Sequence, residues 1–215
     1  MTTVRPEAKP RVFVVDDDHS ILAAMSRLLG LAGYDVETFE SPGDFLAHHD
    51  PQVPGCALLD IGLGETDGLA LQNALVEHEP ARPIIFLTGC DDVTTGVRAM
   101  KAGAVDYLTK PVHETELLAA IERAIEADRK SRAVHDETAK FGNRLEQLTP
   151  REREVMVHVV RGRLNKQIAN DLGIVEKTVK VHRARVMEKL GVRSVATLVQ
   201  AVLKLDTPAK MVSHQ

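Results

Sequence analysis

The sequence has no run of about 18 apolar residues, so it offers no segment able to cross a bilayer as a helix. Its first residues, MTTVRPEAKP, lack the apolar stretch of a secretory leader, and a cytoplasmic protein with no membrane partner is expected. Cysteine is scarce. Cys56 and Cys90 are the two, and they fit neither a disulfide framework nor a metal-ligand spacing. Internal repeats and low-complexity tracts are also missing, so the chain reads as ordinary globular domains.

What is present fits two small domains: 215 residues, 44% of them hydrophobic. The net charge of −4 hides a division. Residues 1–128 hold 22 Asp and Glu against 9 Lys and Arg, whereas residues 149–205 hold 5 against 12. An acidic half followed by a basic half points to nucleic acid as a partner of the second half, although a solvated surface gives the same count.

The first half alternates short apolar runs with helical patterns. The runs are Val12–Val15, Tyr34–Phe39, Cys56–Leu59, Ile84–Leu87 and Val105–Leu108, each bounded by Asp, Gly, Pro or Thr. Between the first two, Ile21, Leu22, Met25, Leu28 and Leu29 recur at helical spacing. This predicts five strands and five helices in an α/β doubly wound, five-stranded parallel sheet of flavodoxin-like type, with its functional edge at the carboxyl ends of the strands. The fifth helix is predicted from near His113, with Leu117, Leu118, Ile121, Ala124 and Ile125 as its apolar stripe. The domains predicted are residues 10–128, a helical linker over 129–146, and an all-α four-helix domain over 147–205.

That second domain opens on Thr149-Pro150-Arg151-Glu152, an N-cap, a proline at the first helical position and a capping-box glutamate. Gly162 ends this helix, and Asn165 is predicted to cap the next. A third helix spans about Glu176–Leu190, stopping at Gly191. Ser194 caps a fourth, with Leu198, Val202 and Leu205 near one face. A tight turn at Gly173 makes the middle pair a helix-turn-helix.

Two constellations carry chemistry. Asp16, Asp17 and Asp18 follow the first strand and Asp60 the third, and such strands are neighbours in a doubly wound sheet of this order. Carboxylates that close repel unless a cation intervenes, and a hard divalent ion, Mg²⁺, suits oxygen ligands. Thr88 ends the fourth strand and Lys110 follows the fifth. Carboxylates, a hydroxyl and an ammonium on one edge suit phosphoryl transfer. A single Asp after a strand is usually a turn former or cap; the full set at successive strand ends is not explained so.

The second constellation lies on the third helix of the basic half. Wound at about 100° per residue, Val179, Val186 and Leu190 share one sector, and Lys177, Lys180, Val181, Ala184 and Arg185 fall opposite. Small residues among cations let such a face approach a DNA groove closely. His182 and Arg183 flank the core sector, within reach of phosphates.

The stretches VVDDD (14–18), LLDIGLGETDG (58–68), FLTG (86–89) and DYLTKP (106–111) resemble the receiver domain of two-component response regulators. LTPREREVM, LNKQIANDLGI and EKTVKVHRARVMEKLGVRS, within 148–194, resemble the LuxR/FixJ-type DNA-binding domain. The resemblance implies a phosphorylation-dependent transcriptional regulator with Asp60 as phosphoacceptor. It implies Asp16, Asp17, Asp60 and the main-chain carbonyl of Gly62 around Mg²⁺, Thr88 and Lys110 on the phosphoryl group, Tyr107 as an aromatic switch, and a cis Lys110–Pro111 peptide. Asp18 is expected to be exposed. On DNA it implies Lys180, Val181 and Ala184 nearest base edges, and Lys177, Thr178, His182 and Arg185 mainly on the backbone. Its implied partners are a sensor histidine kinase, double-stranded DNA, RNA polymerase and, on phosphorylation, a second copy of the chain. No enzyme activity beyond autophosphatase is implied.

Two departures stand out. Leu63-Gly64-Glu65 stands where the family usually has Met-Pro-Gly after the acceptor, and the loss of proline is expected to make that loop more flexible, above all in the unfolded chain. Val175 replaces the usual Ser or Thr cap, at about 1 kcal/mol of local helix stability. The resemblance implies that Gly62 and Cys90 lie at positions where the family tunes water access to the phosphoryl group. Two alternatives stay open: a receiver that works without phosphorylation, and a phosphatase with an aspartyl-phosphate intermediate, in which the basic helix-turn-helix has no role.

Overall fold

The computed structural model describes residues 9–62, 71–73, 75, 81–89 and 93–206. The loop after Gly62 and Cys90 both lie outside the described residues. The chain divides into two units, Met1–Ala133 and Val134–Gln215. Among the described residues no helix is long and apolar enough to cross a membrane.

The first unit contains a five-stranded parallel sheet: β1 (Arg11–Val15), β2 (Asp35–Phe39), β3 (Gly55–Asp60), β4 (Ile84–Thr88) and β5 (Asp106–Thr109). Their order is β2-β1-β3-β4-β5, with every pair parallel. The helices are α1 (His19–Leu31), α2 (Pro42–His48), α3 (described at residues 71–73 and 75), α4 (Val93–Lys101) and α5 (Glu114–Glu146). β4 is buried throughout, and β1 and β3 at all but one position each. That is why they read as unbroken apolar runs. Alternate side chains feed two cores. Phe13, Val15, Leu59 and Phe86 pack with Phe45 of α2, Leu71 and Leu75 of α3 and Ala99 of α4. Val12, Val14, Leu58 and Leu87 pack on the other face with Leu22 and Leu29 of α1 and Leu117, Ile121 and Ala124 of α5. Leu118 and Ile125 are partly buried against this second core.

The second strand starts one residue later than predicted. Tyr34 N donates to Leu29 O at 3.0 Å and so closes α1, after a left-handed turn at Gly33 (φ 90°). The fifth strand keeps its length but is shifted one residue later, and Val105 N still donates to Ile84 O at 2.8 Å. At the amino ends of the strands, Asp128 of α5 accepts from Gly55 N (2.9 Å) and from Arg132 Nε (2.8 Å). Arg132 also donates to the carbonyls of Pro51, Gln52 and Val53. Cys56 is fully buried there, and burial pushes its thiol up to about 12, which leaves it unreactive.

The second unit packs α6 (Pro150–Val160), α7 (Asn165–Leu172), α8 (Glu176–Leu190) and α9 (Val195–Asp206) around Val155, Ile168, Val179, Val186, Leu190 and Leu198. Phe141, near the end of α5, belongs to this core. Gly173 (φ 64°) and Gly191 (φ 67°) end α7 and α8 in the left-handed conformation that glycine tolerates. Ser194 Oγ accepts from Thr197 N at 3.0 Å, as a cap for α9 should. One cap differs from expectation. The N-cap of α7 is Leu164, not Asn165, because Asn165 Oδ1 is occupied across the turn by Arg183 Nη1 at 2.8 Å. Gln167 Oε1 accepts from Leu164 N at 2.9 Å in its place.

The capping box at Thr149 forms and extends into an ion pair. Glu152 Oε2 accepts from Thr149 N (2.9 Å) and from Lys189 Nζ of α8 (2.7 Å). The Lys189 hydrogen bond, then the Thr149 N–H, hold the Glu152 carboxyl at about 2. A depressed carboxyl stabilises the fold fully above its ordinary value of 4.5, and the contribution fades as pH falls through about 2. Lys189 is about a third exposed, so solvent screening limits the cost of Glu152→Gln to about 1–2 kcal/mol. Urea unfolding of the full chain near neutral pH should show that loss. It should shrink at about pH 3, and an equal loss at both values would exclude the ion pair as its source.

Candidate functional site

Four strand ends build the acidic site. β1 runs straight into Asp16, whose N–H still pairs with Phe39 O (3.2 Å), so its side chain is fixed by the sheet and only 2% exposed. β3 ends on Asp60, and Ile61 N continues the pairing to Leu87 O (3.2 Å). Register places Thr88, 4% exposed, at the end of β4 beside Thr109. Lys110 N then donates to Thr88 O at 2.6 Å, and the Lys110–Pro111 peptide is cis.

These backbones bring Lys110 Nζ to Asp16 Oδ2 (2.8 Å) and Asp60 Oδ1 (3.2 Å). Burial works against the Lys110 ammonium, but the hydrogen bonds it donates to Asp16 and Asp60 outweigh it and raise its pKa above the usual lysine value. One oxygen each of Asp16, Asp17 and Asp60 lie within 4.8 Å of one another. Three carboxylates against one ammonium leave two formal negative charges, the complement of a divalent cation. All the donors are hard oxygens. A Cβ at Gly62 would lie 3.3 Å from Asp60 Oδ2, so this glycine keeps the space beside Asp60 open. The residues therefore fit Mg²⁺.

Asp18 stands apart from this group. It is exposed and caps α1 by accepting from Ser20 N at 2.8 Å. The hydroxyl, then the amide, of Ser20 lower its carboxyl pKa. Tyr107 is half-buried, with its ring against α4 at Gly96, where a Cβ would approach to 3.2 Å.

In the second unit, α8 presents Lys177, Lys180, Val181, Ala184 and Arg185 exposed, with Thr178 and His182 half-buried. Its opposite face, Val179, Val186 and Leu190, is at most 1% exposed. The core and outer sectors thus fall where helical winding puts them. His182 Nδ1 is buried without a hydrogen-bond partner, so this ring can offer only its other nitrogen outward. The link from Asn165 to Arg183 was not foreseen. It joins residues 18 positions apart across the helix-turn-helix, and no local pattern announces it.

Residues 12–122 match the response regulator receiver domain, and residues 146–202 match the LuxR family of bacterial regulatory proteins. The chain is 40% identical over 194 residues to response regulator protein TodT of Pseudomonas putida, spanning 90% of this chain and 86% of that one. It is 42% identical over 192 residues to nodulation protein W of Bradyrhizobium diazoefficiens, spanning 89% and 85%. Among solved structures, response regulator StyR aligns with a TM-score of 0.76 at 44% identity, over 92% of this chain and all of that one.

Proposed function

The chain belongs to the bacterial response regulators that join a receiver domain to a LuxR-family DNA-binding domain, and from that premise we propose that phosphorylation of Asp60 switches its binding to DNA. The observation that carries this reading is the convergence of Asp16, Asp17, Asp60 and Lys110 at one edge of the sheet.

On this reading a sensor histidine kinase presents a phosphohistidine. A carboxylate oxygen of Asp60 forms a bond to phosphorus, the P–N bond breaks, and the imidazole leaves with the electron pair. Asp16, Asp17, Asp60 and the Gly62 carbonyl would hold Mg²⁺, which offsets charge on the phosphoryl oxygens. Lys110, already charged and drawn to Asp60, pairs with a phosphoryl oxygen. Thr88 donates its hydroxyl to another, and Tyr107 turns inward as Thr88 shifts. That repacks the face of α4, β5 and α5, which then joins a second copy of the chain. Two α8 helices are thereby set on paired half-sites. Lys180, Val181 and Ala184 lie nearest base edges, and Lys177, Thr178, His182 and Arg185 hold the backbone. RNA polymerase is the further partner through which such binding acts. We take residues 10–128 as the receiver, 129–146 as a helical linker and 147–205 as the DNA-binding domain of a cytoplasmic protein. Autophosphatase activity resets the switch and is its only turnover.

A small-molecule phosphoryl donor, acetyl phosphate, tests the reading. With Mg²⁺ the full-length protein should gain one acyl phosphate and elute as a larger species; with EDTA it should gain none. Equal labelling in EDTA would remove the metal from the account. A phosphorylated protein that stays monomeric would remove the dimer.

A further inference from the structure

The groove between α7 and α8 lies beside the outer face of α8 and shares Lys180 with the DNA contacts proposed above. It has a volume of about 530 Å³ and is lined by Leu164, Asn165, Lys166, Glu176, Lys180 and Arg183. Three of the six are cations, and they come from two different helices. Glu176 is the one acid, and Lys180 Nζ lies 3.6 Å from it.

Arg183 makes this groove more than a patch of surface charge. Its stem is half-buried at the edge of the core sector, next to Val179 and Val186 on the helix wheel. Nη1 donates to Asn165 Oδ1 at 2.8 Å. A guanidinium is a rigid planar fork, so fixing one nitrogen restricts where its remaining N–H groups can point. Asn165 carries no charge. It orients the cation without neutralising it, whereas an aspartate there would do both. A guanidinium held in place by a neutral partner is suited to receive an anion from outside.

We propose that this groove seats one backbone phosphate of bound DNA, with Arg183 as the contacting residue, Lys166 as a second cation and Asn165 as the positioning residue. The inference rests on the DNA-binding reading and adds to it a contact on the α7 side of the recognition helix. A phosphate contact of this kind carries no base information, so it strengthens binding to every sequence alike. Glu176 opposes the phosphate, and its pairing with Lys180 limits that opposition.

The test uses the full-length protein and two short duplexes of unrelated sequence, with binding followed by fluorescence anisotropy over a salt series. Arg183→Ala should weaken binding to both duplexes about tenfold and reduce the slope of log K against log salt by about one. Arg183→Lys should keep the slope and lose part of the affinity. Asn165→Ala should weaken both duplexes several-fold, and Glu176→Gln should tighten both. Far-UV spectra establish that each variant is folded. A folded Arg183→Ala protein with an unchanged salt slope, or one weakened on a single duplex, overturns the proposal and leaves the DNA reading standing. Should Arg183→Ala fail to fold, a Glu176→Gln protein that binds no tighter overturns it. Wild-type protein that binds neither duplex would overturn the DNA reading and this seat with it.

Discussion

Asp60→Asn is expected to leave the full-length protein with no acyl phosphate under conditions that phosphorylate the wild type, and with promoter activation at its basal level in cells. The amide has nearly the shape of the carboxylate but no charged oxygen to attack phosphorus. Its carbonyl oxygen can still accept from Lys110 Nζ, now 3.2 Å from Asp60 Oδ1. Neighbouring acids should not take over. Asp16 is the better buried partner of Lys110, with a side chain 3% exposed against 12% for Asp60, and Asp18 N donates to its other oxygen at 3.0 Å. Asp17 is exposed, outside the grip of Lys110. Asp60 alone is both held by the lysine and open to a donor. Removing one of three mutually repelling carboxylates should not lower stability, so the urea midpoint should equal or exceed that of the wild type. Mobility on a phosphate-binding gel gives the first readout and a reporter gene the second. Normal activation by the Asp60→Asn protein would establish a receiver that works without phosphorylation. Labelling of that protein would put the acceptor elsewhere.

Much of this site was legible because its chemistry sits at strand ends, and strand ends are what sequence marks best. Doubly buried strands are short apolar runs, so their last residues can be counted, and Asp16, Asp60, Thr88 and Lys110 fell where counted. Strand order supplied the convergence. The recognition face was legible for a related reason: one helix, one period, and a buried stripe of Val179, Val186 and Leu190 opposite it. Contacts between elements distant in sequence were not legible. Asn165 reads as a cap from its neighbours, and only the approach of α8 diverts it to Arg183. The capping-box glutamate is visible in sequence, yet its union with Lys189, 37 residues on, is not. Asp128 looked like the end of a domain. Its closure of the lower edge of the sheet, by accepting from Gly55 N, is another contact that no local pattern announces.

Gly55 is where that lower edge governs the upper one. Its φ is +147°, in the region that L side chains rarely adopt, and a Cβ there would sit 1.8 Å from Arg11 O. Arg11 is its register partner on β1, and Arg11 N donates to Pro54 O at 2.8 Å, so neither backbone can withdraw without breaking pairs at the start of β1 and β3. These are the strands that carry Asp16 and Asp60 at their far ends. Gly55→Ala should therefore cost about 3–5 kcal/mol, a large share of the ~5–15 kcal/mol that holds a domain together. Acetyl-phosphate labelling should fall with it, because β1 and β3 would no longer hold the carboxylates in register. Gly103→Ala is the control: its φ is +95°, but nothing lies within 4 Å of the added methyl. Left-handed strain alone should cost that variant about 1–2 kcal/mol, with labelling retained. Comparable urea midpoints for the two variants would mean that backbone conformation, and not the close approach of β1 to β3, makes glycine necessary at position 55. A Gly55→Ala protein that labels as fast as the wild type would separate strand spacing from the chemistry of the site.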